Sequence, residues 1–121
     1  MWRAAPHEPV VRRLLVGMEG GTLGLWADRL FAPDVVLRLD SSVDTETPRH
    51  VGACAVAQVW SALMRREDGR LRPADVHVDL VDDAGWMAYR CESATGDLIV
   101  RLRVELRFAN GRIAEARISA T

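Results

Sequence analysis

The spacing of apolar residues changes once along the chain, from a helical period to strict alternation. Three N-terminal segments repeat their apolar residues every three or four positions, which predicts three helices. They are HEPVVRRLLVGMEGG, TLGLWADRLFA and VGACAVAQVWSALMRRE. In the second segment the residues predicted to face inward are Leu25, Trp26, Leu30 and Phe31. The third segment is apolar nearly all round, which predicts burial on more than one side.

Strands are predicted on both sides of the third helix. DVVLRLD precedes it, followed by the polar loop SSVDTETPRH. After Arg70 the period is two in VHVDL, WMAYRCES, LIVRLRVELRF and RIAEARIS, which predicts four strands joined by short turns. The residues expected on their buried face are Val76, Val78, Leu80, Met87, Tyr89, Cys91, alternate residues from Leu98 to Phe108, and Ala114, Ala116 and Ile118. In WMAYRCES the other register also stays open, with Trp86 and Ala88 inward.

This order of elements predicts the fold class. Helices followed by a meander of long antiparallel strands indicate an α+β fold. The chain of 121 residues has the length of a single domain, 1–121, and is long enough to bury one core. No repeat, linker or low-complexity segment divides it.

Composition excludes several kinds of chemistry. The net charge is −1, so neither nucleic acid nor an anionic membrane is expected as a partner. All 16 basic residues are arginine, and the absence of lysine excludes Schiff-base catalysis. No apolar run reaches about 18 residues, and MWRAAPHEP lacks the apolar centre of a secretory signal. We therefore expect a cytoplasmic protein.

Motifs for cofactors are absent from the sequence. His, Cys and Asp residues show no metal-ligand spacing, and there is no glycine-rich phosphate loop or nucleophile elbow. The two cysteines, Cys54 and Cys91, form no CxxC pair and are expected to be reduced thiols in the core. We therefore expect neither a metal nor an organic cofactor.

Three short motifs, in this order and spacing, carry a resemblance to a known family. They are LFAPDVVLRLD, the glycine-led VGACAVAQVW and the turn FANGRIAEARI. The chain resembles the nuclear transport factor 2-like superfamily over about residues 8 to 119. Ketosteroid isomerase, limonene epoxide hydrolase and SnoaL-like polyketide cyclases belong to that superfamily. The resemblance implies a strongly curved antiparallel sheet wrapped around the helices, forming a cone with a pocket at its open end.

The pocket of such a cone would be apolar. Its predicted lining is Trp26, Trp60, Met87, Cys91, Leu102 and Val104. Apolar walls with few polar groups favour an apolar small molecule as the ligand. The opposite face of the strands carries Arg101, Arg103, Glu105, Arg107 and Glu115. Because both signs are interleaved there, that face is predicted to pair with itself in a homodimer, as the resemblance also implies.

Asp40 is the main catalytic candidate. The resemblance implies a carboxylate near the end of this strand as general base, and apolar walls would raise its pKa towards neutrality. When residues are counted without gaps from Phe31, however, the position at which the resemblance implies the general base of the isomerases falls on Leu39. Asp40 would enter the cone only if the strand bulged near Arg38; otherwise it is a solvated strand end. Tyr89 is a candidate proton donor, or a core residue.

The other templates of the superfamily are incomplete in this chain. The tyrosine and second acid of ketosteroid isomerase would fall on Val16 and Val104. The Arg-x-acid pair of the epoxide hydrolases is offered by Arg90 and Glu92, but Ile118 stands where the second acid is expected. SnoaL-like cyclases also use an acid near the chain end, and RISAT supplies none. His77 and Asp44 are weaker site candidates.

Two classes of function are therefore left open. The first is a cofactor-free enzyme acting on an apolar small molecule by acid–base chemistry. Such an enzyme would be an isomerase, cyclase, dehydratase or epoxide hydrolase. The second is a non-catalytic ligand-binding or dimerisation module of the same fold.

Overall fold

The computed structural model describes residues 7–44, 46, 48–66 and 69–121. Its helices are α1 (Glu8–Gly20), α2 (Leu23–Leu30) and α3 (Ala53–Leu63). Its strands are β1 (Phe31–Leu39), β2 (Arg49–Val51), β3 (Arg65–Arg66), β4 (Gly69–Arg70), β5 (Arg72–Val81), β6 (Ala84–Glu92), β7 (Leu98–Ala109) and β8 (Arg112–Ala120).

Six strands form one curved, unclosed sheet in the order β2-β1-β8-β7-β6-β5. Strands β5 to β8 form the predicted antiparallel meander. Strand β1 lies beside β8 and runs parallel to it, so the sheet is mixed rather than wholly antiparallel. The helices cover the inner face of this sheet, and their buried residues share one core with the strands. The expected α+β cone is thereby confirmed.

The face that α2 buries differs from the prediction. Gly21 adopts a left-handed conformation (φ 69°) that ends α1, and α2 begins at Leu23. Its buried residues are consequently Leu23, Ala27 and Leu30, at helical spacing. Leu25, expected inside, is 84% exposed. Phe31 is extended and starts β1, so it packs in the core from a strand rather than from the helix.

The region around α3 contains more secondary-structure elements than its sequence pattern predicts. The helix ends at Leu63, and a two-stranded hairpin of β3 and β4 follows it. Glu67, the last residue of the predicted helix, lies outside the described residues. The segment predicted as a polar loop contains β2, although its Thr45 and Thr47 are also outside the described residues. Cys54 lies exposed on α3, whereas Cys91 is in the core as predicted.

The predicted alternation holds on β6 and on most of β7. Met87, Tyr89 and Cys91 of β6 are buried, which settles the register that the sequence left open. On β7 the buried residues are Leu102, Val104, Leu106 and Phe108, but the prediction is wrong at the start of the strand, where Leu98 is 41% exposed and Val100 is only partly buried. Both strands therefore present their apolar face to the helices.

Two strands depart from the predicted alternation. The pairing of β7 with β8 shifts between Arg107 and Phe108, so Ile113 is buried opposite Phe108 and Ala114 is only partly buried. Strand β5 forms the sheet edge, and its Val76 and Val78 remain 36% and 42% exposed. Among the described residues, no helix is long and apolar enough to cross a membrane.

Two glycines offer a matched test of the α1–α2 junction. Gly21→Ala should lower the free energy of unfolding by about 1 kcal/mol or more, since its φ is left-handed and an added methyl group meets the Arg70 guanidinium. Gly24→Ala, where a methyl group meets nothing within 4 Å, should raise it by about 0.5 kcal/mol. Urea unfolding of both variants measures the difference. Equal effects would contradict this account of the junction.

Candidate functional site

The end of β1 determines where Asp40 points. The strand pairs with β8 without interruption from Val36 to Leu39, so there is no bulge at Arg38. Leu39 is buried, and the following residue lies on the opposite face. Asp40 ends the strand with backbone hydrogen bonds, since its N–H donates to the Ile118 carbonyl (2.9 Å) and its carbonyl accepts from Val43 N–H (2.8 Å).

The carboxylate of Asp40 is held by a turn and by an ion pair. Its Oδ1 accepts hydrogen bonds from the backbone N–H and the Oγ of Ser42, both at 3.0 Å. Its Oδ2 lies 3.4 Å from Nη2 of Arg117. The Ser42 backbone N–H, then its hydroxyl, then Arg117 hold the pKa of Asp40 below its ordinary value. The expectation of a raised pKa is therefore wrong, because the charged form is the one that receives the hydrogen bonds.

Most of the residues predicted to line a pocket lie in the core. Trp60, Met87, Cys91 and Val104 are fully buried. Trp26 is partly buried on α2, with the guanidinium groups of Arg13 and Arg29 over its ring. Leu102 lines a cavity. The centre of the cone is thus occupied by side chains, and the open space lies elsewhere.

Tyr89 also belongs to this filled centre. It is 2% exposed, and Nε1 of Trp60 donates a hydrogen bond to its hydroxyl oxygen at 3.4 Å. Burial raises the pKa of Tyr89 well above its ordinary value, so it stays a neutral phenol. Its cross-strand neighbour is Leu102, which lines a cavity, whereas Tyr89 itself is not part of the described lining of that cavity.

The thiol of Cys91 lies near the phenol of Tyr89. Its Sγ is 3.7 Å from Sδ of Met64, and burial raises its pKa to about 11. A thiol with this pKa is protonated at neutral pH and is a poor nucleophile. Cys91 therefore acts as an apolar core residue, in keeping with its full burial.

A cavity of about 360 Å³ lies at the mouth of the cone. We call it the mouth cavity. It is lined by Ser42, Val43, Ala62, Leu63, Arg65, Leu71, Ile99, Val100, Leu102 and Ala120. Six elements and connections meet there, namely the β1–β2 connection, α3, β3, the β4–β5 connection, β7 and β8, and most of the lining side chains are apolar. The sequence predicted Leu102 in the pocket and Val100 on the inward face, and it missed the other lining residues, which lie at strand and helix ends or in connections that only the fold brings together.

Ser42 links the mouth cavity to Asp40. Its hydroxyl group donates to Oδ1 of Asp40 and accepts a hydrogen bond from the Ala120 N–H, each at 3.0 Å. The donor capacity of the hydroxyl is therefore used, and one lone pair remains. Towards the cavity Ser42 can act only as an acceptor.

The weaker candidates lie outside the mouth cavity. Arg90 and Glu92 are adjacent on β6, with Nε of Arg90 3.4 Å from Oε2 of Glu92, although that contact lacks hydrogen-bond geometry. His77 is exposed, with its Nε2 3.2 Å from Oδ1 of Asp75. Oδ1 of Asp44 accepts a hydrogen bond from the Glu46 N–H at 2.8 Å. None of these side chains is part of the described cavity lining.

A second, larger concavity of about 590 Å³ lies on the outer face of the sheet. Its lining combines four arginines and three acids with Trp86 and Val81. Nε of Arg38 is 3.5 Å from Oε1 of Glu115, and the guanidinium of Arg103 lies 4.6 Å from the centre of the Trp86 ring. The concavity therefore combines charges of both signs with apolar side chains on β5 and β6.

Within the described part of the chain, no three His, Cys, Asp or Glu side chains form a group that could hold a metal ion. The sites available for function are thus the apolar mouth cavity and the charged outer face.

No protein-family model and no curated protein sequence matches the chain. Solved structures do match. A nuclear transport factor 2-like protein of unknown function from Mesorhizobium loti is 22% identical, over 100% of this chain and 95% of its own, with a TM-score of 0.74. A SnoaL-like family protein from Agrobacterium tumefaciens, proposed to be an isomerase, is 15% identical. The match covers 96% of this chain and 97% of that protein, with a TM-score of 0.71.

A third similar structure is a de novo designed protein with a curved β-sheet, which is 17% identical. The match covers 99% of this chain and 88% of the designed protein, with a TM-score of 0.73. The chain has the nuclear transport factor 2-like fold, as its sequence motifs predicted. A designed protein of this shape shows that the fold by itself specifies no function. The function has to be argued from the two sites.

Proposed function

We propose that the protein binds an apolar small molecule in the mouth cavity, as a ligand-binding module without catalytic activity. The observation that carries this proposal is the lining of the cavity. It combines apolar side chains with Ser42 and Arg65, and it includes no carboxylate, imidazole or thiol among the described residues. A site without an acid or base binds but has no group for proton transfer.

The size of the cavity supports the proposal. A volume of about 360 Å³ falls at the lower end of the range for small-molecule sites. Burying about 200 Å² of apolar ligand surface would contribute roughly 5 kcal/mol at ~25 cal/mol per Å². Part of this gain offsets the lost freedom of the ligand, so we expect weak, micromolar to millimolar binding.

A second function is favoured by one observation, the hydrogen bond between Ser42 and Asp40. In this alternative, Ser42 takes a proton from a carbon acid in the mouth cavity and passes its own proton to Asp40, and the reverse relay from Asp40 through Ser42 returns a proton to a second carbon. Tyr89 would donate to the substrate carbonyl after leaving Trp60. The isomerase suggested for the A. tumefaciens structure is in line with this chemistry. This enzymatic alternative ranks second, because the lowered pKa of Asp40 makes its carboxylate a weak base.

The outer face supports a separate proposal about assembly. Its charges of both signs, which share this concavity with Trp86 and Val81, are suited to pairing with a second copy across a two-fold axis. We propose a homodimer through this face. Dimerisation would leave the mouth cavity open, because the two sites share no lining residue.

The first test measures binding of a neutral apolar fluorophore, N-phenyl-1-naphthylamine. The wild-type protein should bind it, and Ile99→Arg should weaken binding at least about 10-fold, because the cavity would receive a charge that has to stay solvated. Val81→Arg is the matched control, since Val81 lines the outer face instead. A folded wild-type protein that leaves the probe fluorescence unchanged would contradict the binding proposal.

The enzymatic alternative is tested with a β,γ-unsaturated ketone, whose conjugation is followed by ultraviolet absorbance. If Asp40 transfers the proton, Asp40→Asn should lower the rate about 100-fold or more, while Asp44→Asn should retain it. Because the pKa of Asp40 is lowered, its base form persists as the pH falls to about 5, so the rate should stay level there. A wild-type rate no faster than that of Asp40→Asn would eliminate this alternative.

The dimer is tested by light scattering at micromolar concentration. We expect a dimer mass for the wild-type protein and a dissociation constant at least about 10-fold higher for Glu105→Arg, which places like charges beside Arg103 and Arg107. Glu19→Arg, an equal charge change on α1 away from this face, is the control and should remain dimeric. A wild-type protein that is monomeric at high micromolar concentration would refute the assembly.

A further inference from the structure

One charged side chain stands at the mouth cavity. Arg65 is the single ionised group among the described lining residues, and it is exposed on β3 immediately after α3. It forms no ion pair or hydrogen bond with another residue that the structure describes. Two arginines of the outer face, in contrast, lie beside acids, Arg38 beside Glu115 and Arg117 beside Asp40.

The two polar side chains of the lining differ in what they accept. The hydroxyl of Ser42 offers only a lone pair and sits against the carboxylate of Asp40, so it disfavours an anion. The guanidinium of Arg65 offers a planar array of donors, which matches the two oxygens of a carboxylate. An anionic ligand would therefore lie with its charged end at Arg65.

The helix end beside Arg65 limits the charge of the ligand. The C-terminal turn of α3 stabilises a cation at this position, and its carbonyl groups supply no further donors for an anion. One arginine compensates a single negative charge, whereas a phosphate dianion would retain uncompensated charge. The apolar remainder of the lining requires an apolar body on the same molecule.

Resting on the proposed binding function, we propose that the ligand is an apolar carboxylic acid, bound as a monoanion with its carboxylate on Arg65 and its apolar body against Leu71, Ile99 and Leu102. In this arrangement the apolar contacts provide retention and Arg65 provides selectivity for the anion. The basic side chain is then a specificity-determining residue of the mouth cavity.

The test compares two probes of equal chain length, decanoate and 1-decanol, by isothermal titration calorimetry below their aggregation concentrations. Decanoate should bind about 10-fold more tightly than decanol at low salt, and added salt should reduce this preference. Arg65→Ala should abolish the preference, because it should lower the affinity for decanoate far more than the affinity for decanol. Arg65→Lys should retain part of it, because it keeps the charge without the planar donor array.

Arg112→Ala is the matched control. Arg112 is exposed at the β7–β8 turn, far along both strands from the mouth cavity, so its loss should leave the preference for decanoate intact. Equal binding of both probes to the wild-type protein, or an equal loss in Arg112→Ala and Arg65→Ala, would overturn the role of Arg65 but leave the binding function standing. Binding of neither probe would overturn both. Circular dichroism verifies that the variants fold, as expected for exposed positions.

Discussion

The packing of Trp60 against the inner face of the sheet determines how much of the cone is left for a ligand. The indole is fully buried, its ring centre is 6.0 Å from that of Phe31, and its N–H donates to Tyr89. A side chain of this size fills the depth at which the fold would otherwise hold a pocket. Among the described residues, the cavity on the inner side of the sheet lies at the rim, where strands and α3 end. The location of the candidate site is thus a consequence of core packing.

The pairing of β1 with β8, which is continuous from Val36 to Leu39, has an equally direct effect on chemistry. Because side chains alternate along a strand, the register that buries Leu39 places Asp40 on the other face. A single residue inserted near Arg38 would turn Asp40 to the buried face and Leu39 to the other face. Instead, the Ser42 turn and Arg117 stabilise the carboxylate in its charged form at the strand end. An aspartate at position 39 would instead lie against apolar side chains, and burial would raise its pKa.

Much of the fold could be predicted from the sequence, because alternation and helical period record which face is buried. Leu102, Val104, Leu106 and Phe108 are correct for this reason. The burial of Ile113 was missed, since it depends on a shift in strand pairing that leaves no mark on the pattern. The buried face of α2 was missed because it depends on where Gly21 ends the preceding helix. Most of the lining of the mouth cavity was missed for a third reason: apart from Val100 and Leu102, its residues come from segments that are distant in sequence and share no period.

The difference between the core and the rim explains why the comparisons give a fold and no activity. A designed protein reaches the same curved architecture, so core packing and strand order are sufficient for the shape. The features particular to this chain lie at the rim. There the carboxylate of Asp40 lies beside Arg117, whereas the guanidinium of Arg65 has no described acid beside it in the cavity lining. Such an imbalance contributes nothing to core stability, and exposed charges are individually of small effect on folding. Its proposed consequence lies in ligand selection, because the arginine lines an apolar cavity and its charge acts on whatever enters that cavity.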